Sequence, residues 1–377
     1  MKIILALNSF KGSCSSLNAN LALKSGLSLN RSIKELKVFP LCDGGDGSIE
    51  VLHYHLGIPK VKVHTHDALG APLYSTYLFD KKKARAYIEL ANASGMARLQ
   101  SKPDILHANT SGTGKVIMHA IRRGANKIIL MVGGSATNDA GIGILHELGI
   151  KFLDKKNKEF KPIPSNLKYI HSIDDRGIQH LKNIHFEVWT DVKNPFDGNE
   201  GAVAVYSKQK GADQNEQVKL EEGMIHFRKL IYRKYHIKLN LIEGTGAAGG
   251  VGGGLVPLIG ARIKHGTIEI FKLTGFKEII KAYDMIFTGE GSLDIQSGYG
   301  KLVQGVIKEA KKNKVPVIGV CGSKNLDASQ VKKIGFDSVF SIVPGPKSLA
   351  ESMEKAEEFI FSLGVNLGGM IDALMNK

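Results

Sequence analysis

The sequence predicts an α/β protein built on a parallel sheet, and three observations lead there. Short apolar runs bounded by turn signals recur along the 377 residues, at 3–7, 36–41, 128–132, 186–189, 285–288, 315–320 and 339–343, the form of strands buried on both faces. Segments of helical period lie between them, and alternation of the two kinds of segment is the signature of the class. The 43 glycines exceed the roughly 26 of average usage and cluster after apolar runs, where a backbone comes close to a ligand.

Taken in order, Ser15 and Ser16 cap a first helix over 17–27. Short alternating runs between 60 and 87 predict antiparallel strands, and 151–163 a hairpin around Lys155-Lys-Asn-Lys158. Leu220, Met224, Phe227 and Ile231 make one apolar helix face. Ser348 and Glu351 have capping-box spacing at the start of a C-terminal helix. These elements assemble into a discontinuous domain of residues 1–60 and 280–377, holding five parallel strands, with 61–279 inserted as a second α/β domain. In a 2-1-3-4-5 strand order, the ligand crevice lies beyond the carboxyl ends of the first and third strands. The loops Asn8–Ser13 and Gly289–Asp294 stand there, and the active site falls in the cleft between the domains.

Composition narrows the function. The net charge of +15 comes mostly from scattered lysines, and aromatics are 7%, too few for a base-stacking platform. A solvated basic surface that attracts small anions is therefore expected, with no nucleic-acid partner. Cys14, Cys42 and Cys321 form no CxxC pair and suggest a reducing, cytoplasmic setting. Only five apolar residues follow Met1-Lys2, too few for a signal-peptide core. The longest uncharged run, 244–261, carries eight glycines and a proline and reads as a loop and helix start, with no membrane span expected. The thirteen histidines show no metal-ligand spacing.

Six motifs could carry chemistry. Ser9, Lys11, Gly12 and Ser13 lie between a strand and a helix, where free N–H groups and a lysine suit a phosphate; a plain turn with an exposed lysine is the alternative. Cys14 shares that environment, as a reactive thiol or a buried one. Asp43-Gly-Gly-Asp-Gly47 sets two carboxylates at a strand end, for Mg²⁺, a proton, or only a solvated turn. Gly133, Gly134, Ser135, Thr137 and Asn138 offer donors to a substrate carboxylate, and Asp139 could bind a hydroxyl or a metal, or cap a helix. Asp191 ends a strand as a candidate base or metal ligand, and Lys210 is either an anion contact or a surface lysine. Gly244-Thr-Gly-Ala-Ala-Gly249 fits GxGxxG, yet no acid stands about 20 residues on, so a NAD site is disfavoured. Glu290 and Asp294, with Gly300-Lys301 after them, fit Mg²⁺-nucleotide handling.

These motifs, in this order, resemble those of the type 1 bacterial glycerate kinases over nearly the whole chain. The resemblance rests on Leu5–Ser13, Asp43–Ser48, Gly133–Gly141, Thr190–Ala202, Gln209–Ala212, Gly244–Gly250, and Thr288–Gln296 with Gly300-Lys301. It implies a flavodoxin-like domain interrupted by a second α/β domain, and ATP-dependent phosphorylation of D-glycerate with Mg²⁺, usually at the 2-hydroxyl. Asn8 stands where the family commonly has Asp, Ser292 where it has Arg, and Val303 where it has Pro. On this reading Lys11 and Lys301 contact ATP phosphates, with Ser9, Gly12, Ser13 and Gly289 around them. Glu290 and Asp294 hold Mg²⁺. Asp191 takes the hydroxyl proton, with Asp43 its rival. The loop of Gly133, Gly134, Ser135, Asn138 and Asp139, with Lys210, grips the substrate. A kinase forming 3-phosphoglycerate or acting on another hydroxy acid, and a silent nucleotide-binding regulator, are the alternatives. Either a monomer or a homodimer is compatible with the sequence.

Overall fold

The computed structural model describes residues 1–293 and 301–375. Its strands, in chain order, are β1 (Lys2–Leu7), β2 (Glu35–Val38), β3 (Lys60–His66), β4 (Pro72–Asp80), β5 (Arg85–Glu89), β6 (Lys127–Met131), β7 (Lys151–Leu153), β8 (Ser172–Asp174), β9 (His185–Trp189), β10 (Arg262–Lys264), β11 (Met285–Leu293), β12 (Val317–Lys324) and β13 (Ser338–Ser341). The chain divides into two compact units. One comprises Met1–Asp43, Glu50–Leu56 and Thr267–Lys377, the other Gly44–Ile49 and Gly57–Gly266.

The first unit holds a parallel sheet of order β2-β1-β11-β12-β13. Numbered within the unit, that order is 2-1-3-4-5. β1 is buried along Ile3–Leu7 because helices cover both faces, which is why its sequence is a run rather than an alternation. The second unit's larger sheet runs β10-β9-β6-β5-β4-β3, parallel from β10 to β5 and antiparallel from β5 to β3. Its core is a continuous aliphatic mass with Phe152, Phe196 and Phe227 in it, and helix Gln214–Tyr235 buries Leu220, Met224, Phe227 and Ile231 there.

Several expectations need correction. The boundary at 279/280 moves, because Phe271 and Phe276 of the segment after Gly266 pack in the first unit, 4.5 Å apart, with Phe39 5.6 Å from Phe276. The hairpin expected at 151–163 is present but short, an antiparallel bridge of Leu153 with Glu159 closed by Asp154 N to Lys158 O and Phe160 N to Phe152 O; the longer pairing of β7 is with β8. Only half of the Ser348 capping box forms. Ser348 Oγ accepts from Glu351 N at 3.1 Å, but the Glu351 carboxylate is drawn to Lys347 at 2.9 Å.

Among the described residues one helix, Ala356–Met375, is long and apolar enough to cross a membrane by length and composition. Here it lies against helix Ser16–Leu27, burying Phe359, Ile360, Leu367 and Ile371. The crossing is close because both helices place glycine at it. A Cβ on Gly26 would stand 2.2 Å from Phe361 O. Gly26→Ala is therefore expected to lose about 1–3 kcal/mol through overpacking. Gly369→Ala, with open space around it, should be neutral or stabilise by up to about 1 kcal/mol. Thermal melts of the two variants check the contrast.

Candidate active site

In the first unit β1 and β11 part company at the switch point. Their last tie is Asn8 N to Gly289 O at 2.9 Å. Beyond it the chain from β1 folds on itself: Ser13 N and Cys14 N both donate to Phe10 O, and Phe10 N donates to Cys14 O. The loop is pinned from below. Asn20 accepts from Leu7 N and donates to Leu7 O, and Ser16 Oγ donates to Leu7 O at 2.7 Å. Helix Ser16–Leu27 starts later than the phosphate-loop reading requires, with Ser15 as its cap. An anion held here would meet the Lys11 ammonium and the Ser9 and Ser13 hydroxyls rather than the first amides of that helix. Gly289 is needed for packing, since a Cβ there would stand 1.7 Å from Val320 O. The loops bound a crevice of 760 Å³ lined by Ser9, Lys11, Ser13, Glu290 and Ser292. Asn8 is buried, with its side-chain oxygen on Ser9 N at 2.8 Å, and Ser323 donates to Ser292 Oγ at 3.0 Å. Burial, helped by Glu357, pushes the Cys14 thiol up to about 11, so the reactive-thiolate alternative fails.

Glu290 brings a carboxylate to this crevice, which fits Mg²⁺, an ion that uses one or two carboxylates together with substrate phosphates. Among the described residues no group of three or more His, Cys, Asp or Glu could hold a metal by itself. Asp294 and Gly300 lie outside the described residues. Lys301 begins helix Lys301–Lys312. Asp43, half-buried, follows β2 and closes the first unit's opening segment.

In the second unit the candidate loops follow β6 and β9. Glu187, midway along β9, ties that strand to the start of β6 by accepting from Lys127 at 2.7 Å, and it accepts from Trp189 Nε1 at 3.0 Å. Thr190 N donates to Lys264 O at 2.9 Å and holds β10 beside β9. Asp191 emerges next, its side chain 6% exposed, with His265 Nδ1 3.9 Å from its carboxylate. Gly133 and Gly134 serve close approach: Cβ atoms there would stand 2.4 Å from Gly45 Cα and 2.3 Å from the Asp46 carboxylate. Glu89 secures that second loop by accepting from Gly47 N and Ile49 N.

Asp139 is not a substrate contact. Its carboxylate is fully buried and takes four donors, Thr110 N, Thr110 Oγ1, Gly141 N and Gly143 N, at 2.8–3.1 Å. Burial raises its affinity for a proton, and the four donors oppose that rise. Lys210 is no surface lysine either. At 4% exposed, it donates to Ser135 Oγ at 2.8 Å and Thr137 O at 2.7 Å, and so braces this loop from beneath. Beside it, both amide atoms of Asn138 and Thr137 Oγ1 are buried without hydrogen-bond partners among the described residues.

The GxGxxG segment follows a 3₁₀ turn, Leu239–Leu241, and not a strand. Its glycines admit the neighbouring loops: Cβ atoms on Gly246 and Gly249 would each stand 2.1 Å from a carbonyl oxygen, of Pro195 and Thr137. Ala248, Gly249 and Gly250 all take left-handed φ. The dinucleotide reading is thereby removed.

Comparison with known proteins decides the family. The model of the glycerate kinase family matches residues 3–372. The chain belongs to the glycerate kinase family. It is 35% identical over 372 residues to the glycerate kinase of Bacillus cereus, covering 98% of each chain. Identity to the glycerate 2-kinase of Escherichia coli is 32%, again over 98% of both. The crystal structure of a Salmonella typhimurium LT2 protein described as glycerate kinase 2 superposes over the whole of both chains with a TM-score of 0.82 at 32% identity. In this family member the residues that sequence reasoning missed are His265, Glu89 and the crevice wall after β13. His265 carries no motif, and Glu89 reads as an ordinary strand end. Only Pro344-Gly-Pro346, which breaks the chain after a strand, marks the wall.

Burial pushes the Lys210 ammonium down to about 7 from an ordinary value of 10.5, with Asp139 pulling the other way. Between those values the unfolded chain binds the extra proton, so stability contributed at this site rises with pH and is lowest at and below pH 7. Denaturant melts at pH 7 and 9.5 check this. Relative to Lys210→Met, the wild type should gain stability over that interval; a constant difference would show that Lys210 does not titrate there.

Proposed function

We propose that the protein transfers the γ-phosphoryl group of ATP to the 2-hydroxyl of D-glycerate, giving 2-phosphoglycerate and ADP. The observation that carries the reading is full-length similarity to a glycerate 2-kinase, in a chain whose first unit has a crevice presenting both Lys11 and Glu290. Phosphoryl transfer asks a protein chiefly to position reactants and balance charge. Lys11 neutralises the phosphates, with Ser9 and Ser13 as hydroxyl donors; Lys301, whose side chain lies outside the described residues, is the second lysine of this reading. Glu290 would hold Mg²⁺ through its carboxylate, with Asp294 as second acid; when bound, that ion shields the phosphate charge. The Ser135–Asn138 loop, backed by the buried Lys210 ammonium, receives the glycerate carboxylate.

Asp191 accepts the proton of the attacking hydroxyl. That oxygen forms the new bond to the γ-phosphorus while the bond to the ADP oxygen breaks. His265, 3.9 Å away and beyond hydrogen-bond reach, steadies the Asp191 carboxylate by its charge when protonated. Asp43 is the other acid in this reading. Exclusion of water protects the phosphoryl group from hydrolysis.

Phosphorus NMR of the protein with Mg²⁺-ATP and D-glycerate should show a 2-phosphoglycerate resonance. A 3-phosphoglycerate signal would move the position, and no product from folded, ATP-bound protein would overturn the activity. Lys11→Ala should lower kcat/KM by about 10²–10³-fold with the fold intact. Asp191→Asn should lower kcat by about 10²-fold or more with ATP affinity retained. A near-normal kcat in Asp191→Asn would transfer the base to Asp43.

A further inference from the structure

The first unit's crevice has two unlike walls. The polar one comes from the loops after β1 and β11. The other comes from the chain after β13 and from helix Leu349–Glu354: Ile342, Val343, Pro346, Leu349 and Met353. No motif predicted it and the phosphate chemistry does not use it.

This wall is apolar, and only its inner end is core: Ile342 is 4% exposed and packs in the first unit's core, with Val343 against it. Helix Leu349–Glu354 buries none of its residues, and Leu349 is 77% exposed. The helix is held by its cap, Ser348 Oγ on Glu351 N, and by Glu351 pairing with Lys347 at 2.9 Å and Lys355 at 3.5 Å. β13 lies three strands from β1, and three strand spacings of about 4.8 Å set the two strand ends roughly 14 Å apart. An extended nucleotide covers a span of this order between its γ-phosphate and its base. Both walls border one space. Met353 Cε reaches back to 2.7 Å from where a Cβ on Gly12 would stand.

We propose that the wall formed by Ile342, Val343, Pro346, Leu349 and Met353 binds the purine base of the nucleotide, while Lys11 and its neighbours bind the phosphates. The base covers apolar side chains that the fold leaves exposed, and the phosphates stay at the switch point. The assignment rests on the nucleotide reading of this crevice, and the experiment separates the two.

Calorimetry on the full chain measures Mg²⁺-ATP and inorganic tripolyphosphate, a probe without a base, against wild type, Leu349→Gln, Leu349→Gln/Met353→Gln and Lys11→Ala. Both glutamine variants keep the charge, and Leu349 is exposed enough that its replacement does not threaten folding. The double variant should bind ATP about tenfold more weakly, the worth of one to two apolar contacts, and tripolyphosphate within about twofold of wild type. In turnover the loss should fall on KM for ATP and not on kcat. An unchanged KM and Kd for ATP in the double variant, or equal weakening of both ligands, would overturn the base assignment. If instead Lys11→Ala leaves ATP binding unchanged, the nucleotide reading of the crevice itself fails.

Discussion

The second unit is organised around one buried carboxylate. Asp139 has no water to solvate it, so its oxygens must be satisfied by the chain, and they are: two backbone amides beyond it and the amide and hydroxyl of Thr110. Each bond fixes a piece of loop that would otherwise be free to move. Gly141 and Gly143 are drawn in to start helix Ile142–Glu147, and Thr110 in turn accepts from Ile144 N through its hydroxyl. The loop from Gly133 to Asn138 therefore leaves β6 in one shape. Lys210, buried in the field of Asp139, holds that shape from the other side by its bonds to Ser135 and Thr137. A buried acid and a buried base on either flank of one loop are costly to desolvate. Here they preorganise a loop whose own buried amide, that of Asn138, has no partner among the described residues.

The first unit solves a different problem by similar means. A parallel strand ends in unpaired backbone groups, and the end of β1 must be satisfied before it can turn. Asn20 and Ser16, both from the following helix, close on Leu7. With the strand end secured, residues 10–14 curl onto the Phe10 carbonyl, and the Lys11 side chain is left exposed at the crevice. Asn8 illustrates how a departure from the family pattern can be absorbed. Its side chain turns to its own neighbour's amide, a contact an amide oxygen makes as readily as a carboxylate does.

Glycine does two unlike jobs in this protein. At Gly12 it allows a left-handed turn. At Gly26, Gly246, Gly249 and Gly289 it removes a side chain so that backbones can approach. The GxGxxG spacing belongs to the second kind, which is why a fingerprint by letters is not one by structure. The two functions leave the same mark on a sequence, since a left-handed φ disfavours a Cβ and a close approach leaves no room for one.

The sequence by itself determined the α/β class and most strand positions, because burial on both faces writes a strand as an apolar run and turn residues mark its ends; the five-stranded order of the first sheet, a condition in the sequence reading, is set by the strand pairing. The sequence also carried the family, through seven ordered motifs. Only the tertiary structure decided what individual motif residues do. Asp139 and Lys210 sit in motifs that suggest contact with a ligand, yet both are buried and work through the loop between them, and burial depends on helices distant in sequence. His265 and Asp191 are 74 residues apart and meet because β9 and β10 are adjacent parallel strands. Leu349 and Met353 are not singled out in the sequence, and their place beside the Ser9–Ser13 loop, more than 330 residues away, is a property of the folded sheet that no local pattern records.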